Sequence, residues 1–455
     1  MHNAKHYVQD RGTALGLARF IGLTPRLKNG SQEPSQPVRQ VVSLCRELLA
    51  TRVDDGRLAK DTLEAYLGLQ PAERTEFFDM LASEFSPDPE AVGSSGDTYR
   101  KEPTPANLTR LLHVVEPPRQ ELFRRFNLAP GGTRTLIEMR GQILAGLAQH
   151  PNWVALDADL GHLLSSWFNR AFLVLRKIDW HTPAIILEKL IQYEAVHQIQ
   201  GWRDLRRRLQ DDRRCYAFFH PALPDEPIIF VEVALVDRMS ARVQPLLDPD
   251  SRVTGPEAAK CALFYSITNC HEGLRGVPFG SVLIHAVVDE LHREFPRLRT
   301  FATLSPIPGF AGWLAAKARR HEPGPRDGRL AAVLDRLDTP NWPSDAKLAA
   351  ELQHDLVPLC AYYLLHAKHG QEPLDSVARF HLRNGARLER INWMGDLSPA
   401  GLQRSASLTA NYVYRLGEVE RNHRLYTHEH RVQVSYAIER LARQSLLSRE
   451  HTVRA

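Results

Sequence analysis

A chain of 455 residues is longer than one hydrophobic core usually serves, which points to two domains. Hydrophobic residues at 43% and charged residues at 24% describe a soluble globular protein, and a net charge of +5 at this length excludes a strongly basic nucleic-acid binder. The longest apolar run, PIIFVEVALV at 227–236, is about half the roughly 20 residues that span a bilayer and carries Glu232, so no membrane helix is expected.

Residues 1–37 are polar and aperiodic and read as a flexible segment. They hold no contiguous apolar stretch of the secretory kind, and the closing HTVRA matches no peroxisomal or retention signal. Five cysteines, at 45, 215, 261, 270 and 360, are scattered without a C-x-x-C, which favours a reducing cytoplasm. From 38 to 180 the pattern is helical. Val41, Cys45, Leu48 and Leu49 recur along one helix face, and further helices are expected over 58–67, 72–85, 106–115, 121–126, 133–148 and 156–175. Ser86-Pro87-Asp88-Pro89 opens a Gly/Ser/Pro loop, and Pro117-Pro118 and Ala129-Pro130-Gly131-Gly132 punctuate the rest. This region shows no chemistry of its own, so packing or oligomerisation is its expected role.

Thr182-Pro183 starts a helix over 184–193. The dense basic run RRRLQDDRR, at 206–214, is broken by Asp211 and Asp212 and reads as a solvated helix face. Strands and helices then mix. Residues 215–219, 228–235 and 261–269 are β-branched or aromatic strands. The loop HEGLRGVPFG follows the last of them, then the amphipathic helix SVLIHAVVDELHREF, then a short strand that stops at Ser305 in LSPIPGF. Glycines 273, 276 and 280 let the backbone approach a ligand closely, and a helix start leaves N–H groups unpaired, which together suit a pyrophosphate. The loop fits neither G-x-x-x-x-G-K-[ST] nor G-x-G-x-x-G. One reading left is a tight structural connection; the other is an acyl-CoA cradle, by resemblance to acetyltransferase folds, which place the coenzyme A pyrophosphate on such a loop between a strand and a helix.

Pro306 biases Ser305 towards an extended conformation, as any Ser-Pro turn would. A strand–helix–strand crossover, however, sets its second strand parallel to the first and often adjacent. Ser305 is thereby expected at the same sheet edge as the glycine loop, the edge where α/β sheets place ligands. In the later segment FHLRNGARLERINWMGDLS, His381 precedes the turn pair Asn384-Gly385 and the strand-like ARLERINWM. Asp396-Leu397-Ser398 reads as the start of a helix carrying Asn411, Tyr412 and Tyr414. His423, His428 and His430 lack the H-E-x-x-H spacing, so no metal site is expected there.

Four segments, CYAFFHPALPDEPIIFVEVAL, SITNCHEGLRGVPFG, EFPRLRTFATLSPIPGF and HLRNGARLERINWMGDLS, occur in an order that resembles malonyl-CoA decarboxylases. The resemblance implies a mixed α+β architecture. A helical oligomerisation domain over 38–180 would precede a GNAT acetyltransferase-like catalytic domain over 181–455 with a central mixed sheet. It implies catalytic roles for Ser305 and His381, with Tyr414 in the same cleft. It also implies coenzyme A contacts at Arg275, Gly276, Val277, Pro278, Phe279, Gly280 and Ser281. Some relatives carry a glutamate where this chain has Pro278, so no carboxylate role transfers to that position. The implied substrate is malonyl-CoA, and the implied partner is a second copy of the chain, in a dimer or tetramer built through the helical domain. No cofactor beyond the substrate's own coenzyme A, no metal, no nucleic acid and no membrane is implied.

The chemistry is consistent with so small a set of groups. Losing CO2 leaves an electron pair on the α-carbon, and the thioester carbonyl is an adequate sink for it, so no pyridoxal, thiamine or metal is demanded. The expectation is that His381, with a pKa near neutrality, protonates the thioester enolate while Ser305 orients the carboxylate and relays a proton. A nucleophilic Ser305, a CoA-dependent acyltransferase and a non-catalytic acyl-CoA-binding protein are the competing readings.

Overall fold

The structure, a computed structural model, describes residues 33–51, 56–277, 279–319 and 327–448, so most of the N-terminal segment and Pro278 lie outside the described residues. The chain divides into two compact units, Met1–Asn169 with His271–Val277, and Arg170–Cys270 with Pro278–Ala455.

The described part of the first unit is helical, with helices Gln36–Ala50, Gly56–Leu67, Pro71–Glu84, Pro89–Lys101, Pro105–Val115, Pro118–Leu128, Gly132–Gly146 and Val154–Trp167. Four of them open on proline, whose fixed φ and missing N–H suit the first helical position. Val38, Val41, Cys45 and Leu48 of the first helix bury against a core that includes Phe77, Phe78, Phe123, Phe126 and Trp153. Each such phenylalanine contributes about 1.5–3 kcal/mol relative to exposure.

Two expectations for this stretch need correction. The Gly/Ser/Pro loop after Ser86 is only a turn. The Asp88 side chain accepts the N–H of Glu90, and that cap with Pro89 starts a helix that runs through Gly93 and Gly96. The helix expected over 156–175 ends at Trp167, and Val174–Ile178 is a strand. A short apolar run carries no periodicity that separates helix from strand, so pairing with a neighbouring strand decides.

The second unit is built on a mixed sheet. Its strands in chain order are β1 (Val174–Ile178), β2 (Arg213–His220), β3 (Leu223–Val236), β4 (Cys261–Asn269), β5 (Thr300–Thr303) and β6 (Ser305–Pro306). A separate hairpin, β7 (Lys368–His369) with β8 (Glu372–Pro373), precedes β9 (Arg387–Asn392) and β10 (Thr409–Tyr414). The main sheet runs β1-β2-β3-β4-β5-β10-β6, with β9 also on β10. Only β4 and β5 pair in parallel among the described strands, as the crossover through helix Phe279–Glu294 requires.

The basic run at 206–214 is not a solvated face. Arg207, Arg208, Asp212 and Arg213 are all buried. Arg207 grips Asp212 through two bonds of 2.7 and 3.1 Å, and Arg208 reaches Asp204 at 2.8 Å and Glu232 of β3 at 2.7 Å. Interleaved opposite charges let the segment neutralise itself, with Glu232 supplying a further carboxylate from a strand remote in sequence. Burial then costs far less than it would for unpaired guanidinium groups.

Candidate active site

β4 and β5 part beyond Phe264 and Thr303. β5 pairs with β4 only over Thr300–Thr303 against Cys261–Phe264, while β4 continues along β3 to Asn269. A bulge accompanies the parting: Glu232 and Val233 of β3 face Ser266 and Phe264, leaving Tyr265 without an opposite residue. On its other side β5 pairs with β10 through Phe301 and Ala302, and past Thr303 that pairing with β10 continues, with Ser305 opposite Ala410.

Ser305 is buried, and its Oγ lies 2.9 Å from Nε2 of His381. The other ring nitrogen, Nδ1, lies 2.9 Å from the hydroxyl of Tyr414. His381 sits near the end of helix Ser376–Arg383, and its ring stacks on that of Tyr412 with centroids 4.6 Å apart. Tyr412 and Tyr414 share one face of β10 because side chains alternate along a strand. The sequence expectation of a helix for these tyrosines is corrected here. A helix does begin after Ser398, but it spans only Pro399–Ser405 and ends at Ala406 in a left-handed conformation. The following TANYVY then has the β-branched and aromatic composition of a strand.

The orientation of the Ser305 hydroxyl sets the direction of these bonds. Ser305 donates its single hydroxyl hydrogen to Oγ1 of Thr303 at 2.8 Å. The 2.9 Å contact with Nε2 therefore needs the hydrogen on the ring. Nδ1 is then bare and accepts from Tyr414. Four side chains form one directed chain, Tyr414 to His381 to Ser305 to Thr303. Burial pushes the His381 imidazolium down to about 3, so the ring is neutral at physiological pH. The expected near-neutral pKa is corrected by this. Desolvation penalises the charged ring, and its two nitrogens face hydroxyls rather than a carboxylate. Burial also raises the Tyr414 phenol well above its ordinary value, which keeps its proton on.

The glycine loop divides between the units. In the first, Arg275 is exposed beside Glu272, Gly276 adopts a left-handed φ of 87°, and Val277 is buried. Its carbonyls are held from below. Buried Arg140 of helix Gly132–Gly146 donates to the oxygens of Gly273 and Arg275 at 2.8 and 3.0 Å and is itself paired with Asp157. In the second unit, Phe279 is buried at the start of its helix. Gly280 meets the ring of Phe380 so closely that a Cβ would lie 1.9 Å from it. The residue that follows Phe380 is His381. Pro278 and the side chain of Ser281 lie outside the described residues.

The structure thus brings Ser305, His381 and Tyr414 into one hydrogen-bonded line, with Gly280 packed against the neighbour of His381. Sequence reasoning missed Thr303, Tyr412 and Arg140. Thr303 had a signal, since period two puts it on the same face as Ser305. Arg140 had none, because the loop carbonyls it holds stand more than a hundred positions away.

Comparison with known proteins places the whole chain. Residues 171–452 match the family model described as malonyl-CoA decarboxylase C-terminal domain, and residues 85–168 match its N-terminal domain. Mitochondrial malonyl-CoA decarboxylase of Rattus norvegicus is 34% identical over 419 residues, covering 84% of this chain and 85% of its own. The Mus musculus protein of the same name is 36% identical, covering 74% of this chain and 73% of its own. The crystal structure of malonyl-CoA decarboxylase from Rhodopseudomonas palustris superposes with a TM-score of 0.84 at 45% identity, covering 89% of this chain and 99% of that one. Both halves of the chain match one family, over most of their length, and the chain belongs to the malonyl-CoA decarboxylase family.

Proposed function

We propose that this protein converts malonyl-CoA to acetyl-CoA and CO2, and that the line Tyr414–His381–Ser305 manages the proton. The observation that carries the reading is the directed set of hydrogen bonds at Ser305 and His381, in a chain of this family. On binding, the Ser305 hydroxyl turns from Thr303 to the malonyl carboxylate and orients it out of the thioester plane. The C–C bond then breaks, CO2 leaves, and the electron pair passes to the thioester as an enolate.

The enolate carbon takes a proton from the Ser305 hydroxyl. Nε2–H of His381 replaces that proton, and Tyr414 replaces the one lost from the ring through Nδ1. The ring exchanges one neutral tautomer for the other, so neither imidazolium nor imidazolate forms. The negative charge finishes on the Tyr414 oxygen, a much weaker base than the enolate, and solvent returns the proton. A nucleophilic Ser305 is disfavoured on the same grounds, because an Nε2 that carries hydrogen cannot accept the serine proton.

Arg275–Ser281 is the segment we assign to coenzyme A, as the family resemblance implies, and the left-handed Gly276 supports this by letting the backbone approach a ligand closely. No metal or cofactor enters this scheme. A homo-oligomer, dimer or tetramer, is supported by helix Pro105–Val115, which buries none of its residues and exposes Leu112 at 63%. Among the described residues no helix is long and apolar enough to cross a membrane. A cytoplasmic location is supported by cysteines that are all free, although the rodent relatives are named mitochondrial.

Incubation with malonyl-CoA and no acceptor tests the function. Equal amounts of acetyl-CoA and CO2 are expected. Turnover only when an acceptor is added would show an acyltransferase, and calorimetric binding without product would show a non-catalytic binder.

A further inference from the structure

Asp375 is not among the residues singled out from sequence. It is buried, lies between hairpin β7–β8 and helix Ser376–Arg383, and uses its two oxygens on different parts of the fold. Oδ1 accepts the N–H of Ala378 at 2.9 Å and so caps the helix that carries His381. Oδ2 faces the N–H of Gly309 and the hydroxyl of Tyr363, each at 3.4 Å. Gly309 closes the Ser-Pro-Ile-Pro-Gly turn that begins at Ser305. Tyr363 projects from helix Ala346–His366 and packs its ring against Phe310 and Trp313, just past that turn. Desolvation raises the Asp375 pKa, opposed by the backbone N–H groups it accepts from.

We propose that Asp375 is a positioning residue that sets the spacing between Ser305 and His381, a proposal that rests on the reading of those two as the reacting pair. One carboxylate ties the start of the histidine helix to the end of the serine turn, so the two segments cannot shift independently. The residues themselves stand 76 positions apart, and neither has a covalent route to the other shorter than that. Aligning donor and acceptor in a proton relay needs this kind of fixed spacing, because a displacement near 1 Å costs about a hundredfold in rate.

Asp375→Asn separates the two duties. Its amide oxygen can still cap the helix, while its NH2 faces the Gly309 N–H, donor against donor. In the full-length protein, kcat for malonyl-CoA is expected to fall about ten- to a hundredfold with KM within about threefold. Coenzyme A affinity by calorimetry is expected to stay within the same threefold. In a Ser305→Ala background the same substitution is expected to cost nothing further, since a residue acting through Ser305 has nothing left to align.

Wild-type kcat in Asp375→Asn overturns the proposal, as does an equal loss in both backgrounds. Where Asp375→Asn does not fold, Tyr363→Phe carries the test, with a threefold or larger fall in kcat expected and an unchanged kcat overturning it. An inactive wild-type enzyme would instead overturn the functional reading itself.

Discussion

In the proposed mechanism His381 is the residue on which the chemistry turns. A histidine in water titrates near 6.5, and burial takes this one to about 3. It therefore stays neutral as pH falls from 8 to 5, and kcat is expected to show no inflection near 6.5. A fall in kcat with a midpoint there would mean that an ordinary, solvated imidazole is the working acid. Tyr414→Phe keeps the ring but removes the hydroxyl that refills Nδ1, so the relay must leave an imidazolate. A drop in kcat of about 10²- to 10⁴-fold is expected, with KM little changed. Ser305 was legible in sequence as a stiffened turn, whereas His381 and Tyr414 were legible only through the family resemblance. Nothing local marks a histidine as catalytic when its partners are brought in by sheet pairing.

At the scale of elements, the loop segment His271–Val277 has its backbone held by a side chain of the same unit. Arg140 holds two loop carbonyls from a helix of the unit that sequence reading left without chemistry. Arg140→Met leaves those carbonyls without their donor, which costs about 1–3 kcal/mol in a buried setting. A higher KM for malonyl-CoA with near-normal kcat is the expected result, readable in steady-state kinetics. An unchanged KM would separate the loop from substrate binding.

The errors of sequence reading also belong to this scale. The parallel crossover from β4 to β5 was legible because strand, loop, helix and strand follow one another directly. β10 was not, since a genuine helix start at Ser398 masked the short length of that helix. The segment at 206–214 misled for another reason. Its charges meet acids near and far, including Glu232, and that pairing is invisible to local pattern.

Across the whole molecule, the division into a helical unit and a sheet unit was legible from the change in texture along the chain. The assembly role proposed for the first unit has a definite test. Helix Pro105–Val115 leaves Leu108, Leu112 and Val115 exposed, and Leu112→Glu places a charge in that stripe. Light scattering is expected to report a smaller species than the wild type, and an unaltered mass would clear this helix of any part in the interface.

The central claim is that Ser305 and His381 deliver the proton that completes decarboxylation. Its most direct measurement is a single turnover of malonyl-CoA in D2O with no acceptor, comparing the wild type with Ser305→Ala and His381→Ala. The wild type is expected to give acetyl-CoA carrying one deuterium, and both variants to be slower by about 10²- to 10⁴-fold. Either variant forming deuterated acetyl-CoA at the wild-type rate would contradict the account.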